Sequence, residues 1–206
     1  MSAAELFQRA WRQIEIRVPS PASGLRKLLW RLRGAQIGRR TRLPNCRVVW
    51  PHQVRIGDDC RLQPGIFFNY DHYWTPGPSI ILGDRVLVAR DVEFNIQGRI
   101  EIAEDCLIGA GCVFVDHDHG SDPRFPVNGQ PNEISPIRLG KNAWLGAGCI
   151  VLKGVIIGEA SVVGAGSVVT KSIPPGEIWA GNPARRIGAQ PDRGDAADNQ
   201  PGSGGN

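Results

Sequence analysis

The sequence predicts an all-β solenoid, a coil of short strands built from six-residue units. Three observations carry this prediction. Aliphatic residues stand six apart at Leu139, Leu145, Val151, Ile157, Val163 and Val169. Glycine follows four of them, at Gly140, Gly146, Gly158 and Gly164. A thin residue stands four places after each of the first five, at Ala143, Cys149, Val155, Ser161 and Ser167. A period of six is not the 3.6 of an α-helix and is too short for a hairpin, so each unit is one side of a three-sided coil. In such a prism the aliphatic anchor points inward, glycine allows the bend, and the thin residue fits near the corner. Coils stacked about 4.8 Å apart pair their strands in parallel.

Taken in order, residues 1–34 read as two short amphipathic helices capping the solenoid. Leu6, Phe7, Ala10, Trp11 and Ile14 recur at helical spacing, and Leu25, Leu28, Leu29 and Leu32 follow after Pro19 and Pro21. Ten Lys/Arg against two Glu give Met1 to Arg42 a charge of +8, so the rest carries −4 of the total of +4. The basic balance therefore belongs to the first fifth of the chain, and no nucleic-acid partner is expected. Arg26, Lys27, Arg31 and Arg33 beside the leucines also suit a peripheral contact with an anionic inner membrane, with the cap as the preferred reading.

Residues 35–188 hold the prism. Ile37-Gly38 leads to Leu43 and Val49, Ile56-Gly57 to Leu62 and Phe68, Leu82-Gly83 to Val88, Phe94 and Ile100, and Ile102 to Ile108 and Phe114. Roughly 140 residues at about eighteen per turn predict seven or eight coils. Residues 174–188 read as a C-terminal extension. The Gly-, Asp- and Asn-rich stretch 189–206 reads as a disordered tail. Cys60, Cys106, Cys112 and Cys149 all occupy the thin position and read as reduced, buried hydrophobes. No stretch reaches the roughly 18 apolar residues of a spanning helix, and the amino terminus lacks the apolar run of an export signal, so a cytoplasmic protein is expected.

Chemistry is sought where the period fails. Residues 116–136 cannot be fitted to it and must leave the prism as a loop. The root of this loop reads Asp116-His117-Asp118-His119-Gly120, which holds two of the four histidines in the chain. Three readings compete: a solvated loop root, a metal site, and a proton-transfer site. The metal reading has only two donors at i, i+2 and needs a third histidine, His52 or His72, from another coil. A second interruption, residues 69–78, is rich in aromatic and polar side chains, among them Tyr70. It suits a sugar, and equally suits packing against the helices or a neighbouring subunit.

The run LGKNAWLGAGCIVLKGVIIGEASVVGAGSVVTKSIPPGEIWAGNPARRIG resembles the hexapeptide-repeat acyltransferases, most specifically in VGAGSVVTK (163–171) and AGNPARRI (180–187). The resemblance spans residues 35–188 and is strongest to sugar O-acetyltransferases of exopolysaccharide, colanic-acid and nodulation type. It implies a left-handed parallel β-helix and a homotrimer whose clefts lie between subunits. It also implies direct transfer of an acetyl group from acetyl-CoA to a hydroxyl of a sugar or lipid-linked glycan, with no metal. DHDHGSDPRFP (116–126) matches the family's loop and implies His117 as general base. Trp144, Gly146, Ala147, Ala165, Thr170, Lys171 and Arg185 fall where the family contacts coenzyme A. Asn95, Asp116, His119 and Tyr70 are the acceptor-side candidates. Lys153 departs from a proline common in relatives. N-acetylation of an amino sugar, and serine or antibiotic acetylation, use the same base and groove and stay open. A zinc carbonic-anhydrase-like protein and a plain scaffold are the remaining alternatives.

Overall fold

The computed structural model describes residues 21–191. The first expected helix and residues 192–206 lie outside them. Within them the chain visits three sheets in rotation, so that each circuit adds one strand to every sheet. The first face stacks Gln36–Ile37, Val54–Ile56, Ile80–Leu82, Ile100–Ile102, Ile137–Leu139 and Ile156–Ile157. The second stacks Arg61–Leu62, Leu87–Val88, Leu107–Ile108, Trp144–Leu145, Val162–Val163 and Glu177–Gly181, then Ala184–Ala189. The third stacks Arg47–Val48, Phe67–Tyr70, Glu93–Ile96, Val113–Val115, Ile150–Val151 and Val168–Val169. All these pairings are parallel except the last on the second face, where Glu177–Gly181 and Ala184–Ala189 form an antiparallel hairpin. The first and third faces hold six strands each, and single parallel bridges at Ile157–Ile173 and Arg42–Arg61 add a seventh level to the first and second faces, the lower end of the seven or eight coils expected.

Every predicted anchor is buried except Val49, which is 40% exposed. The period slips by one residue there, since Val48 is the partner of Phe68 in the sheet register. Phe68, Phe94 and Phe114 occupy one register position on successive rungs and stack with ring centroids 5.2 Å apart at each step. This column is the bulkiest part of the core. Trp30 meets Phe68 edge-on at 5.9 Å and brings helix α1 (Pro21–Leu32) over the first rung. The helix turns its cations inward: Arg26 and Lys27 donate to the carbonyls of Leu43 and Thr41. Leu25, Leu28, Leu29 and Leu32 are left exposed. At the other end Ala189 still belongs to a strand and the Gln190 N–H donates to the Gly176 carbonyl, so order extends past the expected boundary at 189.

The glycines that follow the anchors are there for a different reason from the expected bend. Gly57 does not adopt positive φ, but a Cβ on it would lie 2.6 Å from the Gly83 carbonyl carbon of the next rung. These glycines let coils stack closely, while the left-handed residue comes two places later, at Arg40, Asp59, Arg85, Asn142 and Ala160. The thin residues also do more than fit. Cys60, Cys106 and Cys112 donate from Sγ to the carbonyls of Gly83, Gly140 and Gly146 on the next rung, and Thr41 donates to that of Gly57. Burial pushes the Cys106 thiol up to about 11, where it stays protonated and inert. All five cysteines are free.

Candidate active site

The three corners of the coil differ in chemistry. The first–second corner carries an ionic ladder, with Arg39 on Asp58 at 3.1 Å, Arg85 on Asp105 at 2.6 Å and Lys141 on Glu104 at 3.3 Å. The second–third corner is narrow: Gly65, Gly111, Gly148 and Gly166 adopt positive φ there, and a Cβ on Gly111 or Gly166 would meet nothing within 4 Å. The third–first corner is where both long interruptions leave the prism, after Tyr70 and after Val115.

At the root of the larger loop, His117–Asp118 pairs antiparallel with Glu133–Ile134, and the Ser135 N–H donates to the Asp116 carbonyl at 2.8 Å to close the stem. His117 is only 7% exposed. Its Nδ1 lies 3.2 Å from Asp116 Oδ1. The Asp116 carboxylate is wholly buried and accepts the N–H groups of Gln97, Gly98 and Arg99, each at 2.8 Å. An ionised carboxylate only accepts, so in this contact the imidazole donates from Nδ1. Asp116 was expected beside the acceptor. Its surroundings are instead three backbone amides and the imidazole, which leaves no free oxygen for a substrate.

The rest of the loop is braced. Lys153 reaches Asp118 at 3.2 Å and Glu133 at 2.5 Å, tying both strands of the stem to the next rung, and these carboxylates, Glu133 first, raise its pKa. Gln130 donates to the carbonyls of Asp122 and Phe125 and accepts from the Asp122 N–H. His119 is exposed. Asn95 is half-buried on the third face, in register with Val115 and accepting from Asn69 at 3.1 Å. Tyr70, the other acceptor-side candidate, turns inward, and its hydroxyl meets Thr75 Oγ1 at 2.8 Å.

The donor-side candidates do not gather around His117 within one chain. Trp144 is half-exposed on the second face, and Ala147 and Ala165 are exposed at the narrow second–third corner. Gly146 is held there by stacking, since a Cβ on it would lie 2.5 Å from the Ala165 nitrogen. Thr170 and Lys171 are exposed where the chain leaves the third face, on the His117 side. Arg185 is exposed on the C-terminal hairpin, whereas its neighbour Arg186 pairs with Glu177 at 3.0 Å. The width of the third face therefore separates His117 from Ala147 and Ala165. Among the described residues no three of His, Cys, Asp and Glu converge as a metal-ligand set.

The layered coil of six-residue units is the architecture of the hexapeptide-repeat acetyltransferases, and the comparisons place the chain among them. Residues 136–171 match the family model described as the hexapeptide repeat of succinyl-transferase. WbbJ of Escherichia coli, named provisionally as a lipopolysaccharide biosynthesis O-acetyl transferase, is 37% identical over 157 residues, 69% of this chain and 79% of that protein. Rv3034c of Mycobacterium tuberculosis, named provisionally as an acetyltransferase, is 30% identical over 183 residues. The alignment covers 87% of this chain, but the chain spans only 56% of that relative's length. A galactoside acetyltransferase solved with coenzyme A superposes with a TM-score of 0.61 at 28% identity, over 68% of this chain and 66% of that one. The chain belongs to the hexapeptide-repeat acetyltransferase family.

Proposed function

We propose that this chain is an acetyl-CoA dependent O-acetyltransferase that modifies a hydroxyl of a sugar or polysaccharide precursor, working as a left-handed β-helical homotrimer. The observation that carries the reading is the buried His117–Asp116 couple, supported by family membership and by sugar O-acetyltransferases among the relatives. With Nδ1 donating to Asp116, His117 Nε2 accepts the acceptor hydroxyl's proton as that oxygen attacks the thioester carbonyl. A tetrahedral oxyanion forms, for which a backbone N–H on a neighbouring coil is the simplest donor. Collapse breaks the carbon–sulfur bond, and the leaving thiolate takes the proton back from the imidazolium. Asp116 holds the ring and opposes the transient positive charge.

The donor follows the narrow corner. The open space beside Gly166, with exposed Ala147 and Ala165, suits a thin pantetheine arm, and Lys171 and Arg185 suit its phosphates. Because Ala147, Gly148, Ala165 and Gly166 lie across a face from His117, a working site needs His117 of one chain beside the narrow corner of another. That need, as much as the resemblance, supports the trimer. The exposed leucines of α1 support a peripheral lipid contact better than its cations do, since Arg26 and Lys27 are spent on the first coil.

The test is thiol release from acetyl-CoA across nucleotide sugars, lipid-linked sugars, free oligosaccharides, amino sugars and serine. Release with a sugar is expected, and His117→Ala is expected to lower turnover by roughly 10²–10⁴ while coenzyme A affinity stays within about twofold. An unchanged rate in the variant removes His117 as the base.

A further inference from the structure

We propose that residues 71–74 form a rigid platform for pyranose rings of the acceptor, extending the site away from the reacting hydroxyl; this rests on the sugar-acceptor reading above. The segment leaves the prism at the same corner as the His117 loop. The sheet register pairs Asn69 with Asn95 and Asn95 with Val115, so the chain turns off at equivalent places two rungs apart. At about 4.8 Å per rung, the root of the aromatic segment lies roughly 10 Å from that of the His117 loop, and its tip folds back over His52 on the first rung, about one rung further, so the rings meet an acceptor of roughly three sugar residues.

Its tip is exposed yet held in place. Tyr73 is 85% and Trp74 64% exposed, unusual for two adjacent large rings on a short loop. Trp74 leans on His52, with ring centroids 5.6 Å apart. Thr75 is fastened from below: its carbonyl accepts from Gln53 Nε2 at 2.7 Å and from His52 Nε2 at 3.0 Å, and its hydroxyl meets that of Tyr70. Gln53, which makes the shortest of these bonds, is wholly buried. The buried Gln53 amide thus fixes the backbone at Thr75, immediately after the two rings. Asp71 and His72, both exposed, stand immediately before them. Flat rings beside a carboxylate and an imidazole match a pyranose, whose C–H face packs on an aromatic while its hydroxyls seek polar partners.

The experiment probes a printed glycan array with the labelled full chain, alongside calorimetric titration with coenzyme A and sedimentation velocity. Wild type is expected to bind a set of pyranosides. The Tyr73→Ala/Trp74→Ala variant is expected to lose at least tenfold, and Tyr73→Phe/Trp74→Phe, which keeps the rings, to stay within about threefold. Coenzyme A affinity and oligomer size should be unchanged in both. The platform is overturned if the alanine variant binds glycans as well as wild type, or if wild type binds coenzyme A but no glycan. It is also overturned if the alanine variant sediments as a smaller species, because the rings would then be a seam between chains. Loss of coenzyme A binding by wild type strikes the donor reading instead.

Discussion

The second–third and third–first corners are built on the same six-residue period, and they differ in what each rung does on turning. At the narrow corner, rung after rung makes the same tight turn, and glycine takes the left-handed position four times. At the loop corner, two of the turns open into excursions, and the larger one buries a histidine and an aspartate at its root. Repetition produces a uniform edge of small, exposed residues. Interruption produces a single position where one imidazole is fixed. Neither corner has the other's property, which is why one chain holds the two halves of the proposed site a face apart.

The sharpest way to break this contrast is to inactivate each corner separately and combine them. His117→Ala and Ala147→Trp are each expected to be nearly inactive. Co-expressed as mixed oligomers, they should recover about a quarter of wild-type activity, the fraction of seams that pair one intact corner with the other. Mixed oligomers verified by mass but without recovery would place both halves of the site in one chain.

Next in size, Asp116→Asn keeps the shape but puts an amide where three backbone N–H groups and the imidazole donate. Turnover should fall by about 10–10³, with acetyl-CoA KM little changed, as the ring loses its fixed tautomer. Thermal unfolding separates this from a folding defect, since the lost acceptor should also cost about 1–3 kcal/mol of stability. Full turnover in a destabilised variant would reduce Asp116 to a structural anchor.

Within the narrow corner, Gly146→Ala drives a methyl into the Ala165 amide and should cost about 1–3 kcal/mol in urea unfolding. Gly166→Ala meets open space and pays only for its positive φ, about 1 kcal/mol. Equal costs would show that stacking distance is not what these positions enforce. The smallest expected effect lies at the ionic corner. Hydrogen bonds from Arg40 and Arg85 hold Asp59 and Asp105 below the usual carboxylate range. Their stabilising contribution is therefore present above about pH 4 and is lost as pH falls through the depressed values. A melting-temperature profile of Asp105→Asn should be flatter than wild type below that pH.

The repeat was legible because burial enforces it: an anchor six residues on must again point inward, and Leu139 to Val169 all do. The purpose of the glycines was not legible, since closeness between rungs is a contact between residues about twenty apart. Val49 misled because Leu43 is followed by a turn one residue short of the period. His117 stood out in the sequence because the period fails beside it. The contact between its ring and Asp116 did not, since strand alternation sends neighbouring side chains to opposite faces, and at Asp116 the chain has already left the sheet. Tyr70 looked available in a polar, aromatic stretch, yet it still belongs to the strand and points inward.

The ends of the coil decide whether it stays one molecule. Stacked parallel strands, in register and about 4.8 Å apart, are also the architecture of a fibril, which grows by adding like rungs to an open edge. On the second face the last parallel rung, Glu177–Gly181, is capped by a strand running the other way, which offers an incoming parallel strand the wrong pattern of donors and acceptors. Opposite, Trp30 closes the phenylalanine column, and Arg26 and Lys27 take up carbonyls of the first coil. Among the described residues, the hairpin and the helix are the two elements that interrupt the self-templating pattern at its ends.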